Sequence, residues 1–109
     1  MYQMIPVRRL DQFLDQGFSG TIIDLRSSEE YRRFHLKGAV NRELEELLNQ
    51  PEEIDRTLPV LFYCSRGSES LRAAVCFSRM GFRAFDVAGG IQYYRGHNGE
   101  KQAFGDVEK

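Results

Sequence analysis

Short apolar runs alternate along the chain with segments whose apolar residues recur at helical spacing. The runs predict β-strands at residues 4–7, 21–25, 39–40, 60–63 and 84–87. Residues 21–25 and 60–63 are nearly all apolar, which is typical of strands that are covered on both faces. The alternation of strands and helices therefore predicts an α/β fold built around a mostly parallel sheet.

Four helices are predicted between these strands, at residues 9–16, 28–34, 43–49 and 69–80. Ser27 and Glu30 have the spacing of a capping box at the start of the second helix. Gly81 directly follows the longest helix and is a natural C-terminal stop. Because the pattern shows no repeat and no linker, we expect one domain over residues 1–100 and a polar tail over residues 101–109.

The overall charge and composition exclude several classes of protein. The 15 Lys and Arg residues balance 16 Asp and Glu residues, giving a net charge of −1, whereas a nucleic-acid-binding domain usually carries a basic excess. No apolar run approaches the roughly 20 residues that a membrane span needs, and the N-terminus lacks the apolar core of a signal peptide. We therefore expect a cytoplasmic protein that binds neither nucleic acid nor membrane.

The two cysteines, Cys64 and Cys76, are too few for a disulfide framework. In a cytoplasm both are expected to be reduced thiols, so one of them is available for chemistry. Cys76 lies on the longest predicted helix, at the boundary between its buried and its exposed face, and we assign it no role. Two histidines and two scattered cysteines do not form a zinc-binding pattern, so no metal site is predicted.

Cys64 stands where an apolar strand runs into a short Gly- and Ser-containing loop that leads into a helix. Ligand sites in open α/β sheets lie at the carboxyl ends of strands. Backbone N–H groups of such a loop and of the first helical turn stabilise a thiolate, and Gly67 permits the positive φ that the turn needs. Cys64 is therefore a candidate nucleophile, and the alternative is a buried strand-end cysteine without chemistry.

Residues 64–70, Cys-Ser-Arg-Gly-Ser-Glu-Ser, resemble the C-x-x-G-x-R-S active-site loop of the rhodanese-like domain family in its single-domain form. Residues 23–26, 30–31 and 35–41 are similar to the family's D-x-R…E-[YF]…H-[IL]-x-G-A-x-[NH] stretch. Residues 81–82, 87–91 and 94 are similar to its G-[YF]…L-x-G-G-[IM]-x-x-[WY] ending. The three blocks occur in the family's order over roughly residues 5–95.

This resemblance implies a sheet of about five mostly parallel strands, flanked by helices on both faces. It also implies a sulfurtransferase or sulfur carrier in which Cys64 takes a sulfane sulfur from thiosulfate or a persulfide. The resulting cysteine persulfide passes its sulfur to a thiol, a protein acceptor or cyanide, and no cofactor is required. The loop that would surround the cysteine and bind the anion consists of Ser65, Arg66, Gly67, Ser68, Glu69 and Ser70.

Glu69 occupies the position of the family's loop arginine. A carboxylate there disfavours the thiolate and repels dianionic thiosulfate, although Arg66 has the charge to compensate. The sequence thus predicts weak thiosulfate activity and favours a persulfidated protein or small thiol as donor. Phosphatases with a C-x5-R loop place an arginine six residues after the cysteine; here that residue is Ser70, which disfavours phosphate-ester hydrolysis.

Asp24, Arg26 and His35 belong to the second block of resemblance. Asp24 and Arg26 close a predicted strand, where they either line the pocket or form a structural ion pair. For His35 the resemblance implies a structural hydrogen bond; the alternative is a general base, which persulfide chemistry does not need once the thiolate exists. A non-catalytic binding or regulatory module of the same fold stays open: Glu69 favours it, whereas the intact Cys64 favours sulfur transfer.

Overall fold

A parallel five-stranded sheet forms the centre of the computed structural model, which describes residues 1–101. The strands of this sheet are β1 (Tyr2–Pro6), β2 (Thr21–Asp24), β4 (Val40–Asn41), β5 (Val60–Tyr63) and β6 (Ala84–Ala88), and a separate pair consists of β3 (His35–Leu36) and β7 (Gly99–Glu100). The strand order in the sheet is β1-β6-β5-β2-β4, and every neighbouring pair is parallel.

Four α-helices connect these strands: α1 (Leu10–Asp15), α2 (Ser28–Arg33), α3 (Leu44–Asn49) and α4 (Ser68–Arg79). On one face of the sheet, α3 and α4 cover alternate strand residues, and Phe77 packs against Phe62 with ring centroids 5.1 Å apart. On the opposite face, Leu10 of α1 and Tyr31 of α2 pack with Leu61. The predicted α/β fold, with a parallel sheet between two helical layers, is confirmed.

The middle strand, β5, is buried along its whole length because β2 and β6 flank it and helices cover both faces. This explains its nearly continuous apolar sequence. The predicted α2 has the expected capping box. The Ser27 side chain accepts a hydrogen bond from the Glu30 backbone N–H, and the Glu30 side chain accepts one from the Ser27 backbone N–H. The N- and C-terminal bounds of the other helices differ from the predicted ones by at most one residue.

The antiparallel pair β3–β7 was not predicted from the sequence. It joins His35 to Glu100 and Leu36 to Gly99, so Glu100 is part of a strand. Of the predicted polar tail, residues 102–109 lie outside the described residues. Within residues 1–101 no helix combines the length and apolar character needed to cross a membrane.

Candidate active site

Cys64 directly follows β5 at the carboxyl edge of the sheet, and its residue is only 6% exposed. Gly67, with φ of +108°, turns the chain so that it becomes the N-cap of α4. The turn directs the Gly67 N–H to Cys64 Sγ at 3.1 Å and the Ser70 N–H to the same sulfur at 3.4 Å. Two backbone donors and the positive end of a helix dipole therefore face the sulfur, an arrangement that favours a thiolate or a persulfide anion.

Ser70 connects the sulfur to a buried carboxyl group behind it. The Cys64 thiol lies 3.5 Å from Ser70 Oγ, and the Ser70 hydroxyl donates a short hydrogen bond to Asp86 Oδ1 on β6. Asp86 is 1% exposed, and its Oδ2 has no hydrogen-bond partner among residues 1–101. Burial raises the pKa of Asp86 above its usual value, and the hydrogen bond from Ser70 offsets part of this rise.

The glycine-rich turn after β6 holds the active-site loop from the side. Ile91 N–H donates to Cys64 O at 2.9 Å, and Gln92 N–H donates to Ser65 O at 3.0 Å. A Cβ atom on Gly90 would overlap the carbonyl oxygen of Ser65, and Gly90 also has a positive φ of +78°. Gly90 thus permits the close approach of the two loops.

Glu30 connects the active-site loop to the start of α2. Ser65 Oγ donates to Glu30 Oε2 at 3.0 Å, and the Ser27 backbone and hydroxyl both donate to Oε1. Burial acts to raise the pKa of Glu30, but the hydrogen bonds from Ser65 and Ser27 and the charge of Arg26 outweigh it, so the net shift is downward. Glu30 is therefore a carboxylate at neutral pH.

The opening over Cys64, called the mouth below, has a volume of about 320 Å³. Ser68 and Glu69 border it from the first turn of α4 and are exposed. Arg66 is exposed as well and borders the mouth from the loop. The mouth therefore carries two carboxylates, those of Glu30 and Glu69, in addition to the charges of Arg66 and Arg26.

A larger cavity of about 710 Å³ adjoins the mouth and shares Ser65 with it. We call it the arginine cavity, because among residues 1–101 four guanidinium groups line it and Glu30 is the one acidic lining residue. The four are Arg26, Arg33, Arg66 and Arg95.

Asp24 and Arg26 form a buried ion pair at the end of β2, with Arg26 Nη2 2.8 Å from Asp24 Oδ2. Arg26 also donates to the Phe34 carbonyl and lies over the Tyr63 ring at 5.6 Å. Burial acts to lower the pKa of Arg26, but the Asp24 carboxylate outweighs it and the net shift is upward. Arg26 thus forms a structural ion pair with Asp24 and also lines the arginine cavity.

His35 lies in β3, and its ring stacks on Tyr31 with centroids 3.9 Å apart. Its Nδ1 is 2.7 Å from the Tyr31 carbonyl oxygen, and its Nε2 is 3.6 Å from Glu100 Oε2.

Cys76, the second thiol, is half-buried on α4. Within residues 1–101 no group of three His, Cys, Asp or Glu side chains is placed to hold a metal ion.

Several residues of the site were not predicted from the sequence. Asp86 had a signal, since it is a charged residue inside the apolar run 84–87 and so falls on a buried strand. Glu30 was identified as a helix cap and as part of the second block of resemblance, but its hydrogen bond with Ser65 was not predicted. Arg33 and Arg95 reach the arginine cavity from segments distant in sequence, and no local pattern marks that convergence.

The fold and the site define a small parallel α/β domain that holds one strand-end cysteine against a helix N-terminus. The family model of the rhodanese-like domain matches residues 7–97. The chain therefore belongs to the rhodanese-like domain family, as the three blocks of sequence resemblance predicted.

Individual relatives agree with this membership. The chain is 40% identical over 74 residues to a tRNA sulfurtransferase of Desulfurococcus amylolyticus, covering 68% of this chain and 14% of that protein. It is 35% identical over 75 residues to thiosulfate sulfurtransferase PspE of Escherichia coli K12, covering 64% of this chain and 69% of PspE. The chain spans only 14% and 20% of the two tRNA sulfurtransferases that it matches.

The crystal structure of a rhodanese-like domain protein from Staphylococcus aureus has the same fold. It matches with a TM-score of 0.77 at 18% identity, covering 92% of this chain and 98% of the other. At that identity the likeness concerns the fold alone.

Proposed function

We propose that the protein is a sulfurtransferase or sulfur carrier in which Cys64 takes up a sulfane sulfur and releases it to an acceptor. The observation that carries this proposal is the contact of two N–H donors, from Gly67 and Ser70, with Cys64 Sγ. Donors placed in this way stabilise negative charge on sulfur both before and after uptake. The sulfurtransferase names of its relatives support the same reaction class.

With thiosulfate as donor, the Cys64 thiolate attacks the outer, sulfane sulfur. A bond forms between Sγ and that sulfur while the sulfur–sulfur bond of thiosulfate breaks, and sulfite leaves with the bonding electron pair. The Cys64 persulfide anion that remains carries the same single negative charge as the starting thiolate, so the N–H groups of Gly67 and Ser70 hold both states. An acceptor thiolate or cyanide then attacks the outer sulfur and restores the Cys64 thiolate.

The charges at the mouth limit which donors react well. Glu30 and Glu69 both border the mouth, and each repels a dianion that approaches the sulfur. Arg66 borders the same opening and offsets part of this repulsion. We therefore expect slow turnover with thiosulfate and faster loading from a persulfidated protein or small thiol, whose sulfane sulfur carries less charge.

A non-catalytic docking module of the same fold has less support from the geometry. Such a module needs no thiol at the end of β5 and no donors converging on it. Ser70 is fully buried and contacts both Cys64 and Asp86, so a chain of polar contacts connects the sulfur to a carboxyl group in the core. This arrangement favours chemistry at the sulfur over recognition by the surface alone.

The test is a thiocyanate assay with purified protein, using thiosulfate or glutathione persulfide as donor and cyanide as acceptor. We expect turnover with at least one donor, its complete loss in Cys64→Ala, and its retention in Cys76→Ala, the matched control at the other thiol. Turnover that survives in Cys64→Ala contradicts the proposal, as does a folded wild-type protein that is inactive with both donors.

A further inference from the structure

The arginine cavity is larger than an inorganic sulfur donor requires. Its volume of about 710 Å³ falls within the range of roughly 300–1,000 Å³ that is typical of sites for small organic ligands. The cavity is continuous with the mouth, and four residues line both spaces: Arg26, Glu30, Ser65 and Arg66. A ligand whose sulfur enters the mouth can therefore place the rest of its body in the cavity.

Positive charge is concentrated in the cavity and balanced in the mouth. Arg26 pairs with Asp24, and Arg33 pairs with Glu29 through an exposed contact. Arg66 and Arg95 have no carboxylate within ion-pair distance among residues 1–101. These two arginines are therefore available to bind an anionic ligand.

This charge pattern discriminates between classes of donor. Thiosulfate places its negative charge next to the transferable sulfur, and that end meets Glu30 and Glu69 at the mouth. An organic persulfide that reacts in its neutral form R–S–SH and has carboxylates on its body carries its charge at a distance from the outer sulfur. The carboxylates of such a ligand fall in the arginine cavity while its sulfur lies over Cys64.

We propose that the arginine cavity binds the body of a small organic persulfide that carries carboxylates, with Arg66 and Arg95 as the residues that select it. This inference rests on the proposed function of Cys64. The Cys64 thiolate attacks the outer sulfur of the donor R–S–SH, and the new Sγ–S bond forms as the donor's S–S bond breaks. The leaving thiolate R–S⁻ keeps the electron pair, and the proton stays on the transferred sulfur.

A concave cavity favours a small ligand over an acidic macromolecule. Ile91 and Tyr94 form buried parts of its wall, and Phe34 contributes an aromatic side. Such a wall accepts the body of a compact ligand, whose charged groups then meet the exposed Arg66 and Arg95. A macromolecular donor is one of the outcomes that the test distinguishes.

The test compares glutathione persulfide, which carries two carboxylates, with the persulfide of glutathione diethyl ester, in which both are masked. Single-turnover loading of Cys64 is followed by intact-protein mass spectrometry at limiting donor, and the ratio of the two rates is the readout. We expect the wild-type protein to load the acid form about tenfold faster, as two partly exposed ion pairs imply. The ratio is expected to fall toward one in Arg66→Ala/Arg95→Ala and to decrease as salt is added.

Arg79→Ala is the matched control, because Arg79 is an exposed arginine in the last turn of α4, and it is expected to keep the wild-type ratio. Equal rates for the two forms in the wild-type protein overturn this inference while leaving the proposed function intact. A ratio that persists in the double variant also overturns it. Loading of Cys64 that occurs with a persulfidated acidic protein but not with glutathione persulfide overturns it as well. No loading of Cys64 by any donor contradicts the proposed function itself.

Discussion

At the scale of single residues, the surroundings of Cys64 come from its own neighbours in the sequence. Gly67 and Ser70 place backbone N–H groups on the sulfur because the chain turns at Gly67 and enters α4 immediately. A local arrangement of this kind is visible in the sequence, which is why the loop could be predicted. The contact between Ser70 and Asp86 joins residues of different elements and could not be predicted in the same way.

Replacing Glu69 with arginine reverses a charge at the mouth and is expected to speed loading from thiosulfate. Glu69 is exposed and borders the opening over Cys64, so the change converts repulsion of the dianion into attraction. We expect an increase of about tenfold at low ionic strength, declining as salt is added. The measurement is the initial rate of thiosulfate-dependent loading.

The matched control for this charge reversal is Glu52→Arg, which makes the same change at an exposed residue of the turn Pro51–Glu53. It is expected to leave the loading rate within about twofold of the wild type, as distant screened charges do. An unchanged rate in Glu69→Arg would show that the Glu69 carboxylate does not slow the loading of Cys64 from thiosulfate.

Asp86 is expected to make the stability of the fold depend on pH. Because burial raises its folded-state pKa above the usual 3.8, the folded state holds this proton more tightly than the unfolded state does. The contribution of Asp86 to stability therefore decreases as pH rises from the ordinary value through the raised one, by at most about 1.4 kcal/mol per pH unit.

The Asp86→Asn variant removes this titration, so its unfolding free energy relative to wild type is expected to increase with pH across that window. Urea unfolding at a series of pH values measures the difference. Parallel curves for the two proteins would contradict a raised folded-state pKa at Asp86.

At the scale of elements, the site depends on the turn after β6 as much as on the turn before α4. Gly90→Ala would bring a methyl group into the Ser65 carbonyl oxygen at a residue whose φ is +78°. We expect a loss of about 3 kcal/mol or more in unfolding free energy, together with slower loading of Cys64. Urea unfolding and single-turnover loading measure the two effects.

Gly17→Ala provides the control for Gly90→Ala. Its φ is +97°, but a Cβ atom there meets nothing within 4 Å, so only the backbone cost of about 1–2 kcal/mol is expected. Equal losses of unfolding free energy and of loading rate in the two variants would contradict a role for the close contact between Gly90 and Ser65.

The central strands and the four helices were predictable because their signals are local. Residues 60–63 are continuously apolar, and Ser27 with Glu30 marks a helix start. The pair β3–β7 has only two residues on each strand and depends on contacts between distant parts of the chain. The convergence of Arg66 and Arg95 on one cavity likewise depends on tertiary structure and has no sequence period.

At the scale of the whole molecule, Asp11 on α1 fixes the segment that carries Arg95. Its carboxylate accepts hydrogen bonds from the Tyr94 hydroxyl, from Asn98 Nδ2 at 2.8 Å and from the His97 N–H at 3.2 Å. Burial acts to raise the pKa of Asp11, but these hydrogen bonds and the nearby His97 outweigh it, so the net shift is downward. One carboxylate thus joins residues at opposite ends of the described chain.

Asp11→Asn is expected to weaken this network and to loosen residues 94–100. We expect a loss of about 1–2 kcal/mol in unfolding free energy and faster hydrogen exchange confined to that segment, measured by mass spectrometry. Asp55→Asn is the control, since the Asp55 carboxylate bonds only the nearby Thr57 in the described structure. Unchanged exchange in residues 94–100 would show that Asp11 does not hold the cavity wall.

The central claim is that Cys64 carries the transferred sulfur. Intact-protein mass spectrometry after brief exposure to thiosulfate or glutathione persulfide, with peptide mapping, tests it most directly. We predict a gain of one sulfur atom on Cys64, absent in Cys64→Ala, present in Cys76→Ala and lost when an acceptor thiol is added. No gain with either donor, or a gain located on Cys76, would contradict the account.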